Sequence, residues 1–189
     1  MKWIFIIMIC TILLIVHACS IIVLVKSKQV SKNRFVSFAL YLSLSDVFMM
    51  GEYIWHTMIN HHHDGSNTYL YLCMLVKHLI AGTVLFSLLQ VLFICLERLN
   101  ATIRTPSRIL KSMTSYITGH TLQNPTKAVG IALVLIHLYV LIRYFVGMSF
   151  GPRPCTGEYN IQKSLPIYID TPCFVLILLI VMCYIGVTG

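Results

Sequence analysis

Charge is scarce in this chain. Only 11% of its 189 residues are Asp, Glu, Lys or Arg, and just six are acidic. An average soluble domain carries about 25%. Scarcity on this scale excludes a disordered chain, which needs high charge and low hydrophobicity. No internal repeat, low-complexity stretch or separate soluble domain is legible. What is abundant is apolar: 58% of residues are hydrophobic and the mean hydropathy is +0.83. An ordinary soluble domain could not hide so much apolar surface. The composition is that of an integral membrane protein.

The net charge is +8, from 14 Lys and Arg against six acids. A basic balance can signal nucleic acid. Here the charges occupy short gaps between apolar runs, so no nucleic-acid partner is expected. The pattern fits cytoplasmic loops facing anionic membrane lipid.

A hydrocarbon layer about 30 Å thick needs roughly 20 apolar helical residues to cross it. Five stretches qualify: 3–25, 35–59, 69–96, 128–150 and 171–187. Backbone polar groups in lipid must be satisfied internally, which leaves helices or a closed barrel. Barrel strands alternate in hydropathy, and runs such as "ILLIV" and "IALVLI" do not. The sequence therefore predicts an all-α, polytopic bundle, one transmembrane domain over 1–189. The first run could also be read as a signal peptide, with Lys2 before it and the small residues Ala18-Cys19-Ser20 within it. It continues apolar through Val25, which favours a span.

Lys and Arg counts set the orientation. One side of the membrane collects Lys26, Lys28, Lys32, Arg34, Arg98, Arg104, Arg108, Lys111 and Lys127; the other has Arg153, Lys163 and Lys2. The first side is expected in the cytosol and the N-terminus outside, in a multi-pass protein of the plasma membrane.

Three features then fall into one register. The second run contains Leu42-Ser43-Leu44-Ser45-Asp46; the third begins near Cys73 and ends in Glu97-Arg98-Leu99. Cys73 lies 27 residues after Asp46, and Arg98 lies 25 after Cys73. A carboxylate in mid-membrane is a functional candidate by default. The constellation resembles the rhodopsin-like (class A) G-protein-coupled receptors, which carry L-x-x-x-D in helix two, a Cys at the outer end of helix three and D/E-R-Y at its inner end.

The resemblance implies ligand-driven signalling to a cytosolic heterotrimeric G protein, with the extracellular ligand unidentified. It implies a sodium-binding site using Asp46 and Ser87; the competing reading is Asp46 hydrogen-bonded to Ser43, Ser45 or Ser87 with no ion. It implies that Glu97 restrains Arg98 at rest and that Tyr184, in "VMCYIGV", receives the released Arg. The competing readings are a snorkelling Arg98 and an interfacial aromatic at 184. It implies a disulfide from Cys73 to Cys155 in the loop "GPRPCTGEYN". Glu52, Trp55, Lys77 and His78 either line the entrance to a ligand pocket or anchor the helices at the interface. Ile80 stands where amine receptors have an Asp, which disfavours an amine ligand.

The chain also differs from the family: Ala18 replaces the helix-one Asn, Leu135 the helix-four Trp, Leu176 the helix-five Pro, and Leu99 the Tyr after Arg98. The resemblance covers five helices of seven, so a partial receptor sequence is expected. The alternative is a non-signalling five-span protein that associates with full-length receptors.

An enzyme is not expected, and no residue is assigned as catalytic. His56, His61, His62, His63 and Asp64 cluster in one loop region, and clustered His can hold a transition metal. Catalysis would need further convergent ligands, whereas His17, His78, His120 and His137 are scattered singly. No metal or other cofactor is assigned to that cluster. Asn100-Ala101-Thr102 fits the N-glycosylation pattern, but the predicted orientation puts it in the cytosol. Expressed in a secretory-competent cell, the chain should show no glycosidase-sensitive mobility shift; modification at Asn100 would invert the topology.

Overall fold

The computed structural model describes residues 2–27, 30, 33–61, 66–102, 125–148 and 171–188. These form five helices: α1 (Lys2–Lys26), α2 (Arg34–His61), α3 (Asn67–Thr102), α4 (Pro125–Met148) and α5 (Thr171–Thr188). The first four are long and apolar enough to cross a membrane; the apolar part of α5, Thr171–Ile185, is shorter. A helical bundle of membrane-length elements is thus observed.

Local chemistry sets the helix starts. Asn33 caps α2: its Oδ1 accepts the Phe35 N–H at 3.0 Å, and its carbonyl accepts the Ser37 N–H at 3.1 Å. Ser66 caps α3 in the same way, its Oγ accepting from the Tyr69 N–H at 3.1 Å. Such side chains satisfy donors that the first helical turn leaves open. Pro125 opens α4, where its missing N–H costs nothing.

The helices reach past most ends of the apolar runs, by the most at the end of α3 and the start of α4. Helix α3 continues through Glu97 to Thr102, beyond the expected end at 96, because a helix leaving the hydrocarbon needs no apolar side chains. Asn100 is consequently helical, not in a loop. Helix α4 begins at Pro125 rather than 128 and is described as far as Met148. Residues 149–170 lie outside the described set.

Helix α3 is the hub: α2, α4 and α5 all pack on it, while α1 packs on α2 and α4 also touches α2. Side-chain contacts give the directions. Trp3 at the start of α1 stacks on His61 at the end of α2, with ring centroids 4.3 Å apart. Tyr41 near the start of α2 meets Thr126 at the start of α4, oxygen to oxygen at 2.8 Å. Tyr144 late in α4 donates to the carbonyl of Tyr71 early in α3, at 3.4 Å. So α1 runs antiparallel to α2, α3 antiparallel to α4, and α2 parallel to α4.

Two apolar cores brace the α2–α3 pair. Phe38, Phe86, Val129 and Ala132 form one across α2, α3 and α4. Ile59, Tyr69, Cys73 and Val76 form the other at the opposite end of α2 and α3. Outside them the bundle turns apolar side chains outward, including Phe5, Phe48, Val134, Phe145 and Met182. That is the arrangement expected of helices whose solvent is lipid.

Helices α3 and α4 come close together at Gly82. A Cβ there would sit 3.3 Å from Val140 Cγ2, and Val140 is buried. Small residues permit such approach in membrane bundles. Gly82→Leu should lower thermal stability in detergent by about 1–3 kcal/mol through overpacking. Gly130→Leu, where an added Cβ meets nothing within 4 Å, should not.

Candidate functional site

The polar residues of the bundle interior line one face of α3. Thr83, Ser87 and Gln90 are spaced four and three apart, which stacks them on a single helical face. Ser45 and Glu52, seven apart on α2, face them. Ser45 Oγ donates to the Leu42 carbonyl at 2.8 Å and lies 3.0 Å from Ser87 Oγ. Further towards Cys73, Thr83 Oγ1 donates to Glu52 Oε1 at 3.0 Å.

Asp46 turns the other way. Its Oδ2 lies 3.6 Å from Nδ1 of His17 on α1. His17 stands within a helix whose only Lys or Arg residues are the terminal Lys2 and Lys26. Asp46 and Ser87 therefore sit on adjacent residues' networks rather than on each other: among the described residues, Asp46 meets His17 and Ser87 meets Ser45. The oxygens are of the hard type a small cation prefers.

Three buried atoms of this seam have no hydrogen-bond partner among the described residues: Glu52 Oε2 and both amide atoms of Gln90. Gln90 is fully buried, at 0% exposure. It lies one turn from Phe86 and beside Leu89, Phe93 and Ile94, all of the larger core. A buried amide without a partner costs about 1–3 kcal/mol on mutational scales.

At one end of α3, the Arg98 guanidinium lies over the Phe35 ring of α2, 3.8 Å from its centroid. A cation over an aromatic face is attracted by the ring quadrupole. The Glu97 side chain is outside the described set, so the expected Glu97–Arg98 pairing is too. Tyr184 is exposed near the end of α5. Leu99 is buried.

At the other end, Cys73 is fully buried, with Sγ 3.7 Å from Asn60 Oδ1. Tyr69 donates its hydroxyl to the same oxygen at 3.5 Å. Cys10, Cys19, Cys95 and Cys183 are free thiols. Cys155 lies outside the described residues.

The four candidate pocket-entrance residues part company. Glu52 is held by Thr83. His78 is buried, its Nδ1 2.8 Å from the Met74 carbonyl and its ring edge-on to Tyr144. Lys77 is half-buried, and Trp55 is exposed. Of the histidine cluster, His56 lies against the Asn60 amide at 3.2 Å and His61 against Trp3. His62, His63 and Asp64 lie outside the described set. Among the described residues no three His, Cys, Asp or Glu side chains gather to hold a metal.

With this geometry in hand, comparison with known proteins gives no match: no family model, no curated protein and no solved structure resembles the chain.

Four participants escape a reading by motif: His17, Phe35, Thr83 and Gln90. For His17 and Gln90 the signal was present, since each is a lone polar residue inside a long apolar run, and such residues usually face the bundle interior. Phe35 carries no comparable signal.

Thr83 is the sole described hydrogen-bond donor to Glu52. Thr83→Val should lower stability by about 1–3 kcal/mol, because it leaves a second carboxyl oxygen unmatched. Thr83→Ser should retain most of it in the same melting assay.

Proposed function

We propose that this chain is a receptor-like membrane protein of the rhodopsin-like type. It takes an extracellular ligand on the Cys73 side and passes a helix rearrangement to a cytosolic heterotrimeric G protein on the Arg98 side. The observation that carries the reading is the common axis of α3. Cys73 marks one end, Ser87 meets Ser45 midway, and Arg98 marks the other end against α2. Placing α3 against α2, α4 and α5 also supports it, since a hub helix can relay displacement from one end to the other.

In this reading the N-terminus is extracellular and α5 is the fifth span. Cys73 is bonded to Cys155. That bond ties the loop between α4 and α5 to the outer end of α3. Arg98 rests on Phe35 and is restrained by Glu97; release of Arg98 towards Tyr184 exposes a basic surface to the G protein. Glu52, Trp55, Lys77 and His78 belong to the ligand-facing third of the bundle.

The test is nucleotide exchange on purified heterotrimeric G proteins by the chain in lipid nanodiscs. The reading expects basal exchange above empty nanodiscs, lost in Arg98→Ala. An exchange rate equal to empty nanodiscs across the G-protein subtypes would instead favour a non-signalling membrane protein that associates with full-length receptors. Non-reducing peptide mapping should independently recover a Cys73–Cys155 linked pair.

A further inference from the structure

Asp46 lies well inside α2, and what faces it is a nitrogen of α1. His17 Nδ1 stands 3.6 Å from Asp46 Oδ2, with the two side chains 27% and 21% exposed. That separation is too long for a hydrogen bond and short enough for an ion pair. What the contact can supply is therefore charge. The other titratable groups on the neighbouring helices are placed elsewhere. Helix α1 holds no Lys or Arg between Lys2 and Lys26, and its thiols, Cys10 and Cys19, carry no positive charge. From Thr83 to Ile94, the stretch of α3 that carries Ser87, no residue titrates. On α4, Lys127 and Arg143 stand towards the two ends. His137 is edge-on to Phe86, with Nδ1 2.9 Å from the Leu133 carbonyl. On α2 itself, Tyr41 meets Thr126 and Glu52 meets Thr83.

We infer that His17 is the resident counter-cation of Asp46. The pair holds one proton in total, on the imidazole, so it is an imidazolium beside a carboxylate and has no net charge. A lone carboxylate at membrane depth is costly, and removing one member of such a pair leaves that cost uncompensated. Here the compensation comes from α1 rather than from a metal ion. A sodium ion on Asp46 would set a second positive charge against the imidazolium, and like charges repel strongly where the dielectric is low. The residues around this acid thus do not fit the sodium ion that the receptor resemblance implies. The place such an ion would take is filled by a side chain of the chain itself, which at the same time ties α1 to α2. This inference holds whether or not the chain signals.

The experiment is nitrogen-15 labelling of the eight histidines in the full chain, in nanodiscs at neutral pH. The His17 signals are those lost in His17→Gln. Its two ring nitrogens should show the near-equal shifts of an imidazolium, and Asp46→Asn should split them into the protonated and bare nitrogens of a neutral ring. Neutral-ring signals for His17 in the wild type overturn the inference. A second measurement needs no assignment. Exchanging choline chloride for sodium chloride at constant ionic strength should move the wild-type unfolding midpoint by no more than about 2 °C, a small fraction of the stability of a chain this size. A larger rise that Asp46→Asn abolishes means that sodium binds the acid, and it also overturns the inference. A rise that Asp46→Asn retains comes from elsewhere and leaves it standing. Should His17→Gln fail to fold, the sodium comparison decides alone.

Discussion

The constraint on which this structure depends is that hydrocarbon does not answer a hydrogen bond. A polar group placed at membrane depth finds no partner in lipid, so the pairs that do form within the bundle help to fix which faces of the helices meet. Thr83 and Ser87 turn α3 towards α2 because Glu52 and Ser45 are there to meet them. His17 turns α1 towards α2 because Asp46 is there. The apolar residues are far less particular, since lipid tails are as good a solvent for Leu or Ile as another helix is. Packing supplies the area of contact; the few polar residues supply rotation and register.

Glycine at position 82 and the two apolar cores complete that scheme. The polar seam needs α2 and α3 close and parallel to one another's surface along its length, and the cores clamp the pair on either side of it. Phe38 and Phe86 hold one end, with α4 added through Val129 and Ala132. Ile59, Tyr69, Cys73 and Val76 hold the other. The close approach at Gly82 brings α4 against α3 at Val140, closing the third side. The hub position of α3 follows from these contacts and not from its length alone.

Much of this was legible in the sequence. Runs of uninterrupted apolar residues are unambiguous at bilayer length, so all five helices and their order could be read. Their ends were harder. Hydropathy stops reporting a helix where the side chains become polar, so it ended the third run at 96; the motif carried the helix on to Leu99, and its continuation to Thr102 was not read. For the site, residues carried by a motif, Asp46, Cys73 and Arg98, were found by counting. Their partners were not, because a partner is defined by tertiary packing. His17 and Asp46 are far apart in the chain, and only the α1–α2 crossing shows that they meet. Likewise Ser87 was paired by motif with Asp46, whereas the helix rotation hands it to Ser45, one residue away and on the other side of α2.

The unequal attachment of α5 has a mechanical corollary. Among the described residues α2 and α4 each pack on more than one helix, whereas α1 packs chiefly on α2 and α5 chiefly on α3, with Phe174, Leu178, Met182 and Tyr184 turned outward. Helix α5 is a cantilever seated on one beam. A sideways displacement of α5 loosens a single seam, as a displacement of α1 does on α2, while α2, α3 and α4 stay packed on one another.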